Sequence, residues 1–376
     1  MLQDRTRVLV AGGGVAGLET VLALQALAGD RVAIELLAPE RSFSHRPLAV
    51  GAPFHAGTVQ RLPLQAIADD RGIPLHRDGL ARVLPAERRV QTLEGESLAY
   101  DALVLAVGAR PVEALPGALT FRGPQDAERM QALVTRIRDD GARRIVFVVP
   151  PGTTWALPLY ELALLTSATV PGARITLVTP EPAPLAAFGP ENAAAIGELL
   201  GERGIALRTG SVAVARELGG VLLESGAKVP ADHVVALPAL VGPRIPGVPA
   251  DQFGFVPVDA YTRVHRLDGV YAVGDLAAAG VKQGGLAAQQ ADVAASVIAA
   301  RAGAPVRPAP YRPVLRGMLL TGGVPRYLRH GPGAADETSA GEPLWWPPAK
   351  IAGRHLAPYL AERMPLDAEL RGAGAR

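Results

Sequence analysis

The N-terminal stretch constrains this chain most. An apolar run, Arg7-Val8-Leu9-Val10-Ala11, leads into Gly12-Gly13-Gly14-Val15-Ala16-Gly17 and then into the helix-like segment LETVLALQALAG. Strand, G-x-G-x-x-G and helix in that order describe a turn suited to a pyrophosphate. Gly12 permits the tight turn, Gly14 lets backbone approach the phosphates, and Gly17 lets the helix pack close to the strand. The free N–H groups at the helix start then face the anion. An ordinary glycine-rich turn is the bland alternative, and the strand–helix context argues against it. The acidic residue that should follow about 20 positions on, to grip a ribose, is displaced. The second strand reads VAIELL and the expected place falls near Ala38, so Glu40 is the candidate, with Glu35 as a mid-strand rival.

Two later motifs add weight. Residues 100–111 read YDALVLAVGARP, a strand ending in Ala106-Val107-Gly108-Ala109-Arg110-Pro111, and residues 268–275 read DGVYAVGD. Each alone is common loop chemistry, but their order after the glycine turn is specific. With these motifs the chain resembles the two-dinucleotide-binding-domain flavoproteins, the pyridine nucleotide-disulfide oxidoreductase superfamily. The resemblance implies that Gly12, Gly14 and Gly17 cradle the FAD pyrophosphate, that the turn around Gly108 closes the FAD domain, and that Asp275 bonds the ribityl chain. Val15, Ala16, Glu40, Ala106, Gly274, Gly285 and Leu286 complete the expected cofactor-binding set. The helix expected to begin near Gly285 or Leu286 would point its N-terminus at the flavin, where its positive end favours the anionic reduced ring. Lys282, just before it, would add to that field; the bland reading is a solvated loop lysine. Gln283 and Gln289 are nearby hydrogen-bonding candidates, although Gln289 and Gln290 also fit the polar face of a helix.

A second glycine turn, for NAD(P)H, is expected in such proteins and is degraded here. The strand Arg144–Val149 runs into Pro150-Pro151-Gly152-Thr153-Thr154-Trp155. One glycine remains, and two prolines remove backbone donors that a pyrophosphate needs. The following P-x-YE turn at Pro158–Glu161, the strand TLVTPEP, the FGPE segment at 188–191 and GFVPVD at 254–259 resemble the branch containing sulfide:quinone reductase and the flavocytochrome c sulfide dehydrogenase flavoprotein. That branch uses cysteines, and this chain has none. A protein persulfide, a disulfide, a cysteinyl flavin link and a cysteine-ligated metal are therefore excluded. Sulfide chemistry on a protein thiol is rejected, and no metal site is expected.

Glu161 is the only charge between Ile145 and Ala173. Buried near a flavin, its pKa would rise and it could relay protons; the bland alternative is a carboxylate serving its own helix N-terminus. Prolines 150, 151, 158 and 171 interrupt this apolar stretch, so it reads as a buried strand, a loop and a helix rather than a membrane span. His45 and Arg46, in the loop after the second strand, could touch pyrophosphate or substrate. Beyond Arg307 come Leu344-Trp345-Trp346-Pro347-Pro348-Ala349-Lys350 and a helix-like AKIAGRHLAPYLAERM. These suit a cap over the flavin, an apolar quinone-type acceptor channel, or a dimer or protein-partner interface built on Trp345 and Trp346.

The expected fold is α/β with two Rossmann-like domains. Residues 1–112 and 245–305 form the FAD-binding domain, 113–244 an inserted, degenerate NAD-binding-like domain, and 306–376 a C-terminal cap or interface region. The 38 basic residues nearly balance 36 acidic ones, and no dense basic run marks a nucleic-acid surface. No secretory leader is read in Met-Leu-Gln-Asp-Arg-Thr-Arg, so the expected location is cytoplasmic. The leading expectation is an oxidoreductase with non-covalent FAD, with Lys282 and Glu161 as catalytic candidates and a small-molecule or quinone-type donor or acceptor. The rivals are an NAD(P)H:acceptor reductase, like type II NADH dehydrogenase or ferredoxin reductase, and a flavin-binding sensor with little turnover.

Overall fold

In a computed structural model, residues 5–140, 144–152, 155–332 and 334–364 are described. The strand Thr6–Ala11 is apolar on both faces and buried from Val8 onward. A strand covered on both faces belongs inside a parallel sheet. It pairs in parallel with Val32–Leu37 on one side and Ala102–Leu105 on the other. The full order is Val270–Ala272, Ala102–Leu105, Thr6–Ala11, Val32–Leu37, Leu75–His76. The chain therefore leaves the central strand in one direction and returns on its other side. Such a reversal opens a crevice beyond the carboxyl ends of the two strands, where ligands of open α/β sheets bind.

The same plan is repeated. Strands Leu119–Thr120, His233–Ala236, Arg144–Val148, Arg174–Val178 and Ala206–Arg208 form a second parallel sheet in that order. Its reversal lies between Arg144–Val148 and His233–Ala236, so its crevice faces the Pro150-Pro151-Gly152 turn. The two α/β sheets match the fold class read from the sequence.

Two helices decide where the crevices lead. Helix Val15–Ala28 packs on helix Gly284–Arg301, whose inner face is alanine-rich, with Ala287, Ala291, Ala294 and Ala295 buried in one cluster with Ala16 and Ala23. Small side chains let the two axes approach closely. Helix Leu157–Thr169 is apolar all round and buried from Leu159 to Thr166. A helix with no wet face must find partners for any charge it carries.

The C-terminal part adds an antiparallel sheet of Leu315–Leu319, Arg326–Gly331 and Ala334–Ala340. Gly317 lies against this buried helix; a Cβ there would stand 2.5 Å from Phe188 and 2.8 Å from Leu157. The helical reading of 349–364 holds only for Leu356–Arg363, which docks on helix Val15–Ala28. The irregular turn before it runs along the cavity described below. Residues 365–376 of the expected C-terminal region lie outside the described residues.

Candidate active site

A cavity of about 1050 Å³ opens at the first reversal and extends to the second. Its floor is the glycine turn. Gly12 has φ +123°, and a Cβ there would stand 2.2 Å from the Ala106 carbonyl oxygen. A Cβ on Gly17 would stand 1.8 Å from the Gly12 carbonyl oxygen. The fold itself demands both glycines. Gly14 differs: its φ is −85°, and a Cβ would meet nothing within 4 Å. No protein atom requires glycine there; the cavity does, which fits a ligand lying on the backbone at the start of helix Val15–Ala28.

Val15, Ala16, Glu40, Ala106, Gly108, Gly274 and Asp275 share this wall with Gly12 and Gly14. Gly17 lies behind it. Helix Gly284–Arg301 begins one residue earlier than the sequence suggested, and Gln283 and Gly284 stand on the wall while Gly285 and Leu286 are buried in the first turn. The Gln283 side chain accepts from Leu286 N–H at 2.8 Å and donates to the Arg316 carbonyl at 3.2 Å. Gln289 turns away, exchanging two bonds with the Val314 backbone, and Gln290 accepts from Gly274 N–H at 2.7 Å.

Lys282 is buried rather than solvated. Its ammonium donates to the Ala277 carbonyl and lies 4.3 Å from the centre of the Phe255 ring. Burial pulls its pKa below the usual lysine value, partly offset by Asp275 and Asp251. Burial pushes Asp275 up, partly offset by Lys282 and Arg46. Arg46 lines the cavity, whereas His45 is buried behind it. Desolvation and the Lys350 charge lower His45 to about 4, so it is neutral at ordinary pH.

Glu161 sits one turn into helix Leu157–Thr169 with its side chain 1% exposed. It does not serve its own helix N-terminus. Its Oε1 accepts from Leu320 N–H at 2.8 Å and from the ammonium of Lys350. Lys350 is 7% exposed in its side chain and also donates to the Pro47 carbonyl at 3.2 Å. Burial pushes Glu161 up and Lys350 down, each opposed by the other's charge. Both residues line the cavity. The turn carrying Lys350 is pinned by Trp345, whose Nε1 donates to the Ala349 carbonyl at 2.9 Å and whose ring meets Tyr327 edge-on at 5.2 Å. The two tryptophans therefore part: Trp345 is half-buried against the core, and Trp346 is 84% exposed.

The family model for pyridine nucleotide-disulphide oxidoreductases matches residues 6–296. The chain belongs to that family. It is 31% identical over 300 residues, 73% of each chain, to an NADH dehydrogenase-like protein of Mycobacterium tuberculosis. Its structure resembles sulfide:quinone oxidoreductase of the hyperthermophilic bacterium Aquifex aeolicus, with TM-score 0.80, 20% identity and coverage of 98% of this chain and 92% of that one. A ferredoxin reductase from Rhodopseudomonas palustris matches with TM-score 0.67 and 22% identity, over 89% and 84% of the two chains. Family and relatives make this chain an oxidoreductase. Among the described residues no helix is long and apolar enough to cross a membrane.

The second turn keeps the sparse glycine pattern read from the sequence. Pro150 and Pro151 offer no N–H, Gly152 and Trp155 line the cavity, and the helix begins at Ala156-Leu157-Pro158 without a side-chain cap. Thr153 and Thr154 lie outside the described residues. Sequence reading found Glu161 and Lys282 but passed over Lys350 and Arg316, both on the cavity wall. With only three lysines in the chain, tracing each would have singled out Lys350.

Proposed function

We propose that this chain binds FAD non-covalently in the first crevice and transfers two electrons between a donor and a small, apolar, quinone-type acceptor without a protein thiol. The observation that carries this reading is Gly14, whose open Cα lies on the cavity floor at the strand reversal. Gly12, Gly14, Val15 and Ala16 would hold the pyrophosphate against the helix N-terminus, with Glu40 toward the ribose and Asp275 toward the ribityl chain. FAD, when bound, supplies the redox chemistry. The Lys282 ammonium and the N-terminus of helix Gly284–Arg301 supply positive potential beside it.

Glu161 and Lys350 would hold the proton of the coupled step. Burial raises the pKa of Glu161 and lowers that of Lys350, each opposed by the other's charge, and the Oε1–Nζ contact gives a proton a place to be held beside the cavity. Trp155, Leu157 and Met318 give the same end of the cavity an apolar wall. Trp346, on the outer surface, is the expected contact for a protein redox partner or a second copy.

A second reading, an NAD(P)H:acceptor reductase, is favoured by the likeness to the NADH dehydrogenase-like relative. Anaerobic titration with NADH and NADPH, followed by flavin absorbance, separates the two. Stoichiometric bleaching makes the nicotinamide the donor despite Pro150 and Pro151. No bleaching, with dithionite still reducing the flavin, leaves the first reading in place. A colourless protein that takes up no added FAD ends both.

A further inference from the structure

Arg316 carries a charge that the protein does not answer. It lies on strand Leu315–Leu319, whose other face, at Gly317, packs on Phe188 and Leu157. Arg316 lines the cavity together with Gly317, Met318 and Gln283. Among the described residues no carboxylate pairs with it, and its buried Nε has no hydrogen-bond partner.

Its neighbour makes matters worse. In the antiparallel register Arg316 stands directly opposite Arg329, whose buried Nε is also unpartnered. Like charges opposite each other across a sheet are destabilising. Arg329 is opposite Glu337 on the next strand and meets its carboxylate at 3.4 Å. That one carboxylate answers one guanidinium and leaves the other. Elsewhere on the wall Arg122 is matched by Asp126, Lys350 by Glu161, and Lys282 and Arg46 face Asp275, whereas Arg110 and Arg244, like Arg316, meet no carboxylate among the described residues.

We propose that Arg316 receives the anionic group of the enzyme's organic substrate, so that the substrate is an apolar molecule with a carboxylate at one end. A guanidinium whose terminal nitrogens have no protein partner among the described residues binds a carboxylate through charge-assisted, bidentate hydrogen bonds. The apolar body would lie along Met318, which shares Arg316's face of the strand, with Trp155 and Leu157 elsewhere on the wall of the same cavity. Glu161 and Lys350 share this cavity, which places the anionic end and the proton-holding pair on one substrate. The assignment rests on the oxidoreductase reading above and names its substrate class.

The test uses the protein as purified, with 4-butylbenzoate and its methyl ester as probes, read by thermal shift and by perturbation of the flavin spectrum. The acid should bind at least about tenfold more tightly than the ester, a difference of ~1.4 kcal/mol. In Arg316→Gln that preference should vanish, while the ligand-free variant melts at or above the parent because the like-charge pair is gone. Arg316→Lys, which keeps the charge but loses the fork, should retain part of the preference. Equal binding of acid and ester by the parent would overturn the assignment, as would an undiminished preference in Arg316→Gln. Failure of Arg316→Gln to fold makes the arginine structural, and loss of flavin from it makes the residue a cofactor ligand; either result also overturns the proposal. The thermal shift reads anion preference whether or not flavin is present. A parent without flavin therefore fails the oxidoreductase reading separately.

Discussion

Glu161 and Lys350, 189 residues apart, form one buried ion pair on the wall of the cavity. Both charges are largely withdrawn from water, so each depends on the other. Removing one partner of such a pair typically costs about 3–5 kcal/mol, because the remaining charge is left buried and unpaired. Lys350→Met and Glu161→Leu should each lower thermal stability by that amount. The double variant should recover most of the loss, since apolar replacements of a buried pair are often neutral. Its turnover should stay low although its melting temperature is near that of the parent. Recovery of turnover together with stability would show that the pair is structural only.

The glycine turn gives a contrast between two positions of one motif. Gly17→Ala places a methyl group on the Gly12 carbonyl oxygen and should prevent folding. Gly14→Glu has open space and an ordinary φ, so the protein should fold. The new carboxylate would stand where the pyrophosphate is proposed to lie, and the variant should purify colourless with parent-like circular dichroism. A yellow Gly14→Glu protein would remove this loop from cofactor binding.

Lys282 should tune the flavin rather than hold it. Lys282→Met keeps an unbranched chain of similar length and removes the charge that lies over Phe255. The midpoint potential should fall by tens of millivolts, about 30 mV for each 1.4 kcal/mol of lost stabilisation of the reduced flavin. Spectroelectrochemical titration of parent and variant decides the matter, and equal potentials would place Lys282 outside the flavin's field.

A second buried cluster sets a pH dependence of folding. Glu19, on helix Val15–Ala28, accepts from the backbone N–H groups of His355 and Leu356 at 2.7 Å each, and so holds the start of the last helix. Asp292 lies beside it on the neighbouring helix, with His355 Nε2 3.9 Å from Asp292 Oδ1 and Arg354 nearby. Burial and the Glu19 charge push Asp292 up to about 8. An unfolded aspartate titrates near ~3.9. The folded state therefore binds the proton more tightly, and stability falls as pH rises from about 4 to about 8. Asp292→Asn should flatten this slope, melting close to the parent at pH ~5 and above it at pH ~8.5. Melting curves across that range test it, and an unchanged slope would assign the titration elsewhere.

The parts whose physics is local were legible in the chain alone. A buried strand, a glycine turn and a helix start involve consecutive residues, and their spacing alone places Gly12, Gly14 and Gly17. The lone charge in an apolar helix marked Glu161, and the missing cysteines removed thiol chemistry. Which groups meet depends on packing between distant segments. Lys350 reaches Glu161 only because the C-terminal sheet and the Trp345 turn dock on a helix far back in the chain. Arg316 faces Arg329 only through strand register. His45 was withdrawn from the cavity, and Gln283 and Gly284 took the wall places expected of Gly285 and Leu286. These outcomes turn on desolvation and long-range packing, energies set by what surrounds a side chain in space and carried by no single stretch of sequence.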